Sequence, residues 1–599
     1  MEKKNIFKNS LCSKLLLFIG IVLISIPFFL VSTTSLLFVF KIPINHITFY
    51  LAITLVIIFS LFLFKNFFNE KISIKKFLLY IGSMCVVACV FSFSIYIGNK
   101  YHDTTFDGNT YHKQAIGALK NGWNPVYTDL DEFEKDNDLI FDNIKRISVW
   151  GNHYPKATWI YSANTYNITG NIESGKSIGW ILVFGIFMII TGYLINIKKN
   201  YILSVSIGGL TSANALFVSQ CFSFYVDMIL GLYLFLLIFT LIIFCFEQDN
   251  IKKWIKYYLY ISSMIMIINI KFTGLAYAGV YCLAFYIFYI IATFKQKKSF
   301  KPIIRFTIIS LLALLFSIFV VGLSSYCKNF IEKGNPLWPL FGKNSIEIMT
   351  QNQPDYFKNK SSIEKFIIAN FSETENISQI SKEKAEWKIP FTISKNEKDA
   401  LSNVDNRIGG YGVLFSGILI ISLILIIITI PKLYRKDKKL VWPLLIPILV
   451  TMVLPFTLGE VWWARYFPQL YLFPIIATII VDFSLENKLL KNLIIYFVLL
   501  LLLINNIYNF KSNFLRAQKE QSEINQVYNY FVEIIPKNEK IELYYPKLHS
   551  SSYNVKDYLN KHGYKNLKTI KKHVNYVKYA EGKQIFYFEK GYTMAYVDN

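Results

Sequence analysis

Charge is scarce in this 599-residue chain: Asp, Glu, Lys and Arg make up 17%, against roughly a quarter in soluble domains. With 54% hydrophobic residues, that deficit excludes a soluble enzyme folded into several cores, and it excludes a disordered chain. Cysteine is sparse as well. The seven cysteines (12, 85, 89, 221, 245, 282 and 327) sit mostly inside apolar runs, with neither a metal-binding spacing nor a disulfide framework. A secreted disulfide scaffold is therefore excluded, and Cys85 and Cys89 read as packing residues. The basic N-terminus lacks a small-residue cleavage site, so its apolar run reads as a retained anchor. No internal repeat is visible, which disfavours an inverted-repeat transporter.

What the chain has in abundance is long uncharged apolar sequence. Runs of this kind cover 15–40, 42–64, 77–99, 177–197, 306–327, 408–431, 440–459, 466–481 and 492–510. The stretches 200–246 and 257–294 hold one charge each, Asp227 and Lys271, and each is long enough for a helical hairpin. The expectation is an all-α polytopic membrane protein of about 13 transmembrane helices. With the N-terminus inside, the short inner segments carry 25 Lys and Arg and the short outer turns carry 3. That asymmetry predicts an N-in, C-out topology and accounts for much of the net charge of +24, so no nucleic-acid partner is needed.

The layout follows in order. Residues 1–76 hold two N-terminal helices, and 77–327 a membrane core that includes a large outer loop, 100–176. A second outer loop spans 328–407, further membrane helices 408–510, and a small extracytoplasmic α/β domain 511–599. In that tail, helical spacing near 512–534 and alternation in Lys540–Tyr545 and Gln584–Glu589 predict one helix and two strands.

Isolated charges inside apolar sequence are costly and mark candidate sites. The predicted topology brings Asp227, Lys271, Arg407, Glu460 and Arg465 to the outer leaflet, below an outer loop carrying Asp103, Asp107, Tyr111, His112, His153 and Lys156. Asp107 precedes Gly-Asn-Thr-Tyr-His and reads either as a helix N-cap or as a carboxylate able to take a proton from a hydroxyl or amine nucleophile. His112 and His153 lack the spacing of a zinc pair, and a divalent metal between Asp103 and Asp107 is only weakly signalled, so no cofactor is assigned. Each charge also has a plainer reading. Lys271 can snorkel to headgroups, Asp227 can simply pair with it, and Arg465 beside Trp462, Trp463 and Tyr466 can anchor an aromatic belt.

The Asp107-x-x-x-Tyr111-His112 loop after a transmembrane helix resembles the GT-C superfamily of membrane glycosyltransferases. So do the segment Tyr326–Pro339, with its Asn335-Pro336-Leu-Trp338-Pro339, and the later Trp463-Ala-Arg465-Tyr466. The resemblance spans about residues 77 to 482, and the layout is similar to that of the lipid A aminoarabinose transferase and the protein O-mannosyltransferases. It implies inverting transfer of a sugar from a polyprenyl-phosphate donor to an envelope glycan, lipid or protein, on the outer face of the inner or plasma membrane. Asp107 would be the base, with Asp103 the alternative. Lys271, Arg407 and Arg465 would hold the donor phosphate, with Tyr111, His112, His153, Lys156, Asp227 and Glu460 in support. Trp123, Trp150, Tyr154, Trp159, Trp338 and Trp462 are candidate sugar platforms. Family members usually carry the catalytic loop after the first helix; here it follows the third, which marks the first two as an addition. The competing readings are an O-antigen-type polymerase or ligase, which would rely on outer-loop arginines that are scarce here, and a lipid-linked oligosaccharide flippase or transporter.

Overall fold

A computed structural model describes residues 10–68, 73–136, 144–198, 200–246, 251–295, 299–346, 352–375, 384–544, 552–570, 583–588 and 593–598. Among these, ten helices are long and apolar enough to cross a membrane, from Leu11–Val39 to Lys488–Ile534. Helices also occupy the other three expected places. Tyr201–Ser212 and Leu472–Ser484 are shorter than a full span, and Lys253–Ile270 carries two lysines, Lys253 and Lys256, in its first turn. Lipid offers no partner to a free N–H or C=O, so the apolar runs close their backbone bonds internally as helices.

The first helix is central. It packs along Ser177–Lys198 through glycines: a Cβ at Gly20 would meet the carbonyl oxygen of Gly185 at 2.7 Å, and Ser13 Oγ donates to the Gly192 carbonyl at 2.7 Å. Small residues let helix backbones approach where no hydrophobic force separates protein from lipid. Far from lying beside the core, Leu11–Val39 has most of its length buried inside it.

The final span does not stop at the membrane. Lys488–Ile534 is one helix of 47 residues, about 70 Å at a rise of ~1.5 Å per residue. The span expected at 492–510 and the helix expected near 512–534 are thus a single rod, and the 510/511 boundary falls within it. Its buried face carries an asparagine ladder. Asn505 donates to Tyr411 O at 2.8 Å and accepts from Leu414 N at 3.0 Å, Asn509 donates to Tyr411 O at 3.2 Å, and Asn513 donates to Leu401 O at 2.9 Å. The loop they grip, 401–414, crosses so closely that Gly412 (φ +110°) has asparagine amide atoms where a Cβ would stand.

Beyond the rod, four strands form one sheet: β1 (Ile541–Tyr544), β2 (Leu567–Ile570), β3 (Lys583–Phe588) and β4 (Thr593–Asp598), in the order β2-β1-β4-β3. β1 pairs parallel with β2, and β4 runs antiparallel to both β1 and β3. Two of these strands lie where alternation predicts them; β2 and β4 are additional. Phe531 of the rod packs on Phe586 and Phe588, joining sheet and helix in one core.

Candidate functional site

Arg465 lies in a single helical turn, Ala464–Tyr466, between the apolar helices Lys438–Val453 and Leu472–Ser484. The turn is pinned to the 401–414 loop by the Trp463 indole N–H donating to Asp405 O (2.6 Å) and Ala464 N donating to Asn406 O (3.1 Å). These bonds set Asp405 beside the guanidinium. Asp227 opens the helix Asp227–Phe244, while Lys271 directly follows the last residue of Lys253–Ile270. Asp227 complements the helix N-terminus it occupies, whereas Lys271 lies between the C-terminus of one helix and the N-terminus of the next, Phe272–Lys295, and takes its compensation from Asp227.

Asp107 does not act as a helix cap. Its backbone is already helical, its side chain caps nothing, and the chain widens into a π-turn at Gly108–His112 before continuing as Lys113–Lys120. Gly108 is required here, because a Cβ would stand 1.9 Å from Asp103 Oδ2. With no capping duty, the Asp107 carboxylate turns toward Arg465.

The result is one cluster. Arg465 Nη1 lies 3.2 Å from Asp107 Oδ2, 3.6 Å from Asp227 Oδ2 and 3.6 Å from Asp405 Oδ1. Lys271 Nζ pairs with Asp227 Oδ1 at 2.6 Å, and Arg407 Nη2 with Asp405 Oδ2 at 3.2 Å. Three acids and three bases balance formally, as a buried set must if none is to be stranded. Aromatic rings enclose the cations: Arg465 Cζ is 4.4 Å from the Trp463 ring centre and 4.9 Å from that of Tyr225, and Lys271 Nζ is 3.5 Å from that of Tyr466. Arg465 Nε is buried with no hydrogen-bond partner among the described residues. Asp107 is the most open acid of the three, its side chain 21% exposed against 2% for Asp227 and 11% for Asp405. Partial burial pushes its carboxyl above the ordinary range, Arg465 opposes that shift, and Asp405 and Asp227 add to it.

The other sequence candidates divide. Tyr111 packs beside His112, Trp150 and Trp159 on the helix that carries Asp107. His112 accepts from the Trp159 indole N–H at 2.7 Å, and burial lowers its pKa to about 3. His153 faces Asn329 Oδ1 at 2.7 Å, and burial lowers it to about 4. Lys156 is buried under the carbonyls of Asn152, Tyr154 and Ser324, and burial depresses its pKa strongly. Glu460 falls in the turn before Arg465, with its side chain outside the described residues. Asp103 and Asp107 turn to different partners. Asp103 is wholly buried and accepts Thr105 N at 2.8 Å and Phe224 N at 2.7 Å. No group of three metal-ligating side chains occurs among the described residues. Of the sugar platforms expected from the sequence, Trp123, Trp159 and Trp462 are core residues, 0–2% exposed, and unavailable to a ligand face. Trp150 and Trp338 keep partly open faces.

Asp405 and Tyr225 are the site residues that sequence reasoning passed over. Asp405 stands two residues before Arg407 in a polar loop, where nothing apolar makes an acid conspicuous.

No family model matches the chain, and no curated protein matches it. Among solved structures it is similar to ArnT from Cupriavidus metallidurans bound to undecaprenyl phosphate, at 8% identity, over 82% of this chain and 86% of that one, with a TM-score of 0.42.

Proposed function

We propose that the protein is an integral membrane glycosyltransferase that uses a polyprenyl-phosphate sugar, with inversion, at the outer face of the cell membrane. The observation that carries this reading is the Arg465 cluster: an accessible carboxylate, Asp107, and three cations held at one end of a helix bundle, with one guanidinium N–H unpaired. A hydroxyl or amine of the acceptor attacks the anomeric carbon while Asp107 takes its proton. The bond from that carbon to the phosphate oxygen breaks, and the electron pair leaves with the polyprenyl phosphate. Charge grows on the phosphate as it departs, and Arg465, Lys271 and Arg407 stabilise it.

Arg465 is shared among three carboxylates at 3.2–3.6 Å. A donor phosphate oxygen takes up its free N–H and competes with Asp107 for the guanidinium. Loosened from its cation, Asp107 becomes the stronger base. A transporter would instead need charges along its path through the membrane. Thirteen spans with N-in, C-out orientation belong to the same reading, supported by the 25-to-3 bias of Lys and Arg. The acceptor is an envelope glycan, lipid or protein.

The test is mass spectrometry of lipid-linked sugars and envelope glycans in cells lacking the gene and in cells carrying Asp107→Asn. Both should accumulate the same sugar-loaded lipid and lack the same envelope modification. A normal glycan profile with Asp107→Asn would end the proposal.

A further inference from the structure

A second charged cluster lies behind the first, and the mechanism above makes no use of it. Glu173, Lys113, Lys176 and Asp103 are all 2% exposed or less. Glu173 Oε1 receives Lys113 Nζ at 2.9 Å and Asn554 Nδ2 at 2.7 Å; its Oε2 receives Lys176 Nζ at 2.6 Å and Asp103 N at 3.2 Å. Lys113 Nζ also donates to Asp103 O at 2.8 Å and Asn554 Oδ1 at 2.7 Å. Two acids and two lysines balance within a volume closed to water.

These bonds converge on the backbone just before Asp107. Lys176 donates to Tyr101 O. Gln521 Oε1 accepts His102 N at 2.7 Å and meets the His102 ring at 2.8 Å. The Thr104 hydroxyl bonds Glu520. Asp103 then passes the constraint onward by holding Phe224 N, and the next residue, Tyr225, stacks on Arg465 and reaches Asp405 Oδ1 at 3.4 Å. Residues 101–104 are thus gripped from two sides. One side is the turn Ile172–Lys176, which leads into a membrane helix. The other is extramembrane: Glu520 and Gln521 on the upper part of the rod, and Asn554 on the helix Ser552–Lys561.

We infer that the C-terminal unit positions the Asp107 loop, with Asn554 and Gln521 as positioning residues that fix Asp107 against Arg465 without touching substrate. Stability alone is a poor reason for such a cluster, since well-packed apolar residues commonly replace buried ion pairs at no loss. A fixed geometry for residues 101–107 requires directional bonds of this kind. The inference rests on the reading of Asp107 as the base.

The test uses the full-length protein in proteoliposomes, comparing wild type, Asn554→Ala, Gln521→Ala and Asp107→Asn for sugar transfer from purified lipid-linked donor. Asn554→Ala should lower kcat at least tenfold, with less than a twofold change in KM for the donor. It should also move the acid limb of the pH–rate profile upward, because Asp107 drifts from Arg465 while Asp227, Asp405 and Tyr111 still face it. Gln521→Ala removes one clamp without touching the buried charges, so it should shift the same limb in the same direction if Asn554→Ala does not fold. Wild-type kcat per folded molecule and an unmoved acid limb in a folded variant would overturn the inference. Full activity of Asp107→Asn would overturn the underlying reading instead, so the two failures are distinguishable.

Discussion

Arg465 Nη1 sits 3.2 Å from Asp107 Oδ2, joining residues 358 apart in the chain. One guanidinium touches the carboxylates of three separate segments: the 100–176 loop, the start of Asp227–Phe244 and the 401–414 loop. A single lysine ammonium cannot span these acids as a planar fork does. Arg465→Lys is therefore expected to fail as Arg465→Ala does, with transfer lost in both. For Arg465→Ala, thermal melting in detergent should show a loss of ~3–5 kcal/mol, the cost of stranding buried charge, and the charge-retaining lysine variant should lose less.

The pH dependence follows from the surroundings of Asp107. Burial, Asp405 and Asp227 raise its pKa and Arg465 lowers it, with a net upward shift. A base must be ionised to act, so transfer is full above that pKa and falls as pH drops through it. The acid limb should thus lie above the ordinary aspartate value of ~4. Asp405→Asn removes a neighbouring negative charge and should move the limb down; a pH series of kcat/KM checks both statements.

Lys271 and Asp227 are expected to separate folding from function. Asp227→Asn alone strands Lys271, its partner at 2.6 Å in a buried pair, and should destabilise by roughly 3–5 kcal/mol; Lys271→Met leaves Asp227 with Arg465 at 3.6 Å and should cost less. The double variant should recover most of the lost melting temperature, yet remain inactive if Lys271 is needed at the donor phosphate. Recovery of activity along with stability would reduce the pair to a structural one.

Topology can be read by labelling. A cysteine at exposed Lys561 should react with an impermeant maleimide in intact spheroplasts. One at exposed Lys438 should react only after permeabilisation. The reverse pattern would move the cluster to the cytoplasmic face.

Much of this was visible in the sequence because apolar background makes a charge conspicuous. Asp227 and Lys271 stand out as single charges in long hairpins, Arg465 as a cation in a short turn between apolar runs and Arg407 as one at the end of the second long loop, and all four meet in one cluster with Asp107. The same logic fails where polarity is the background. Asp405 was hidden in its loop, and Glu173 and Lys176 fall at the polar end of the 100–176 loop, where nothing marks them as a clamp. Aromatic residues misled for a different reason: Trp123 and Trp159 lie in the 100–176 segment between apolar helices, but that segment packs into the main core and buries them. Continuity of Lys488–Ile534 was illegible because the sequence pattern changes near residue 510 from uniformly apolar to amphipathic without a break in the backbone.

That rod couples distance to rotation. Each residue advances the helix ~1.5 Å and turns it ~100°, so the asparagines at 505–513 and the clamp at 520–521 match in both angle and height only at their present separation. One residue inserted between Asn513 and Glu520 would swing Gln521 and the attached sheet a quarter-turn away from His102, although nothing in either region had changed. Seven inserted residues would restore the direction but lift the unit ~10 Å. The spacing along this one helix is therefore a timing mark cut into the sequence: activity should disappear with one added residue and stay absent with seven, while the membrane-embedded end remains folded in both.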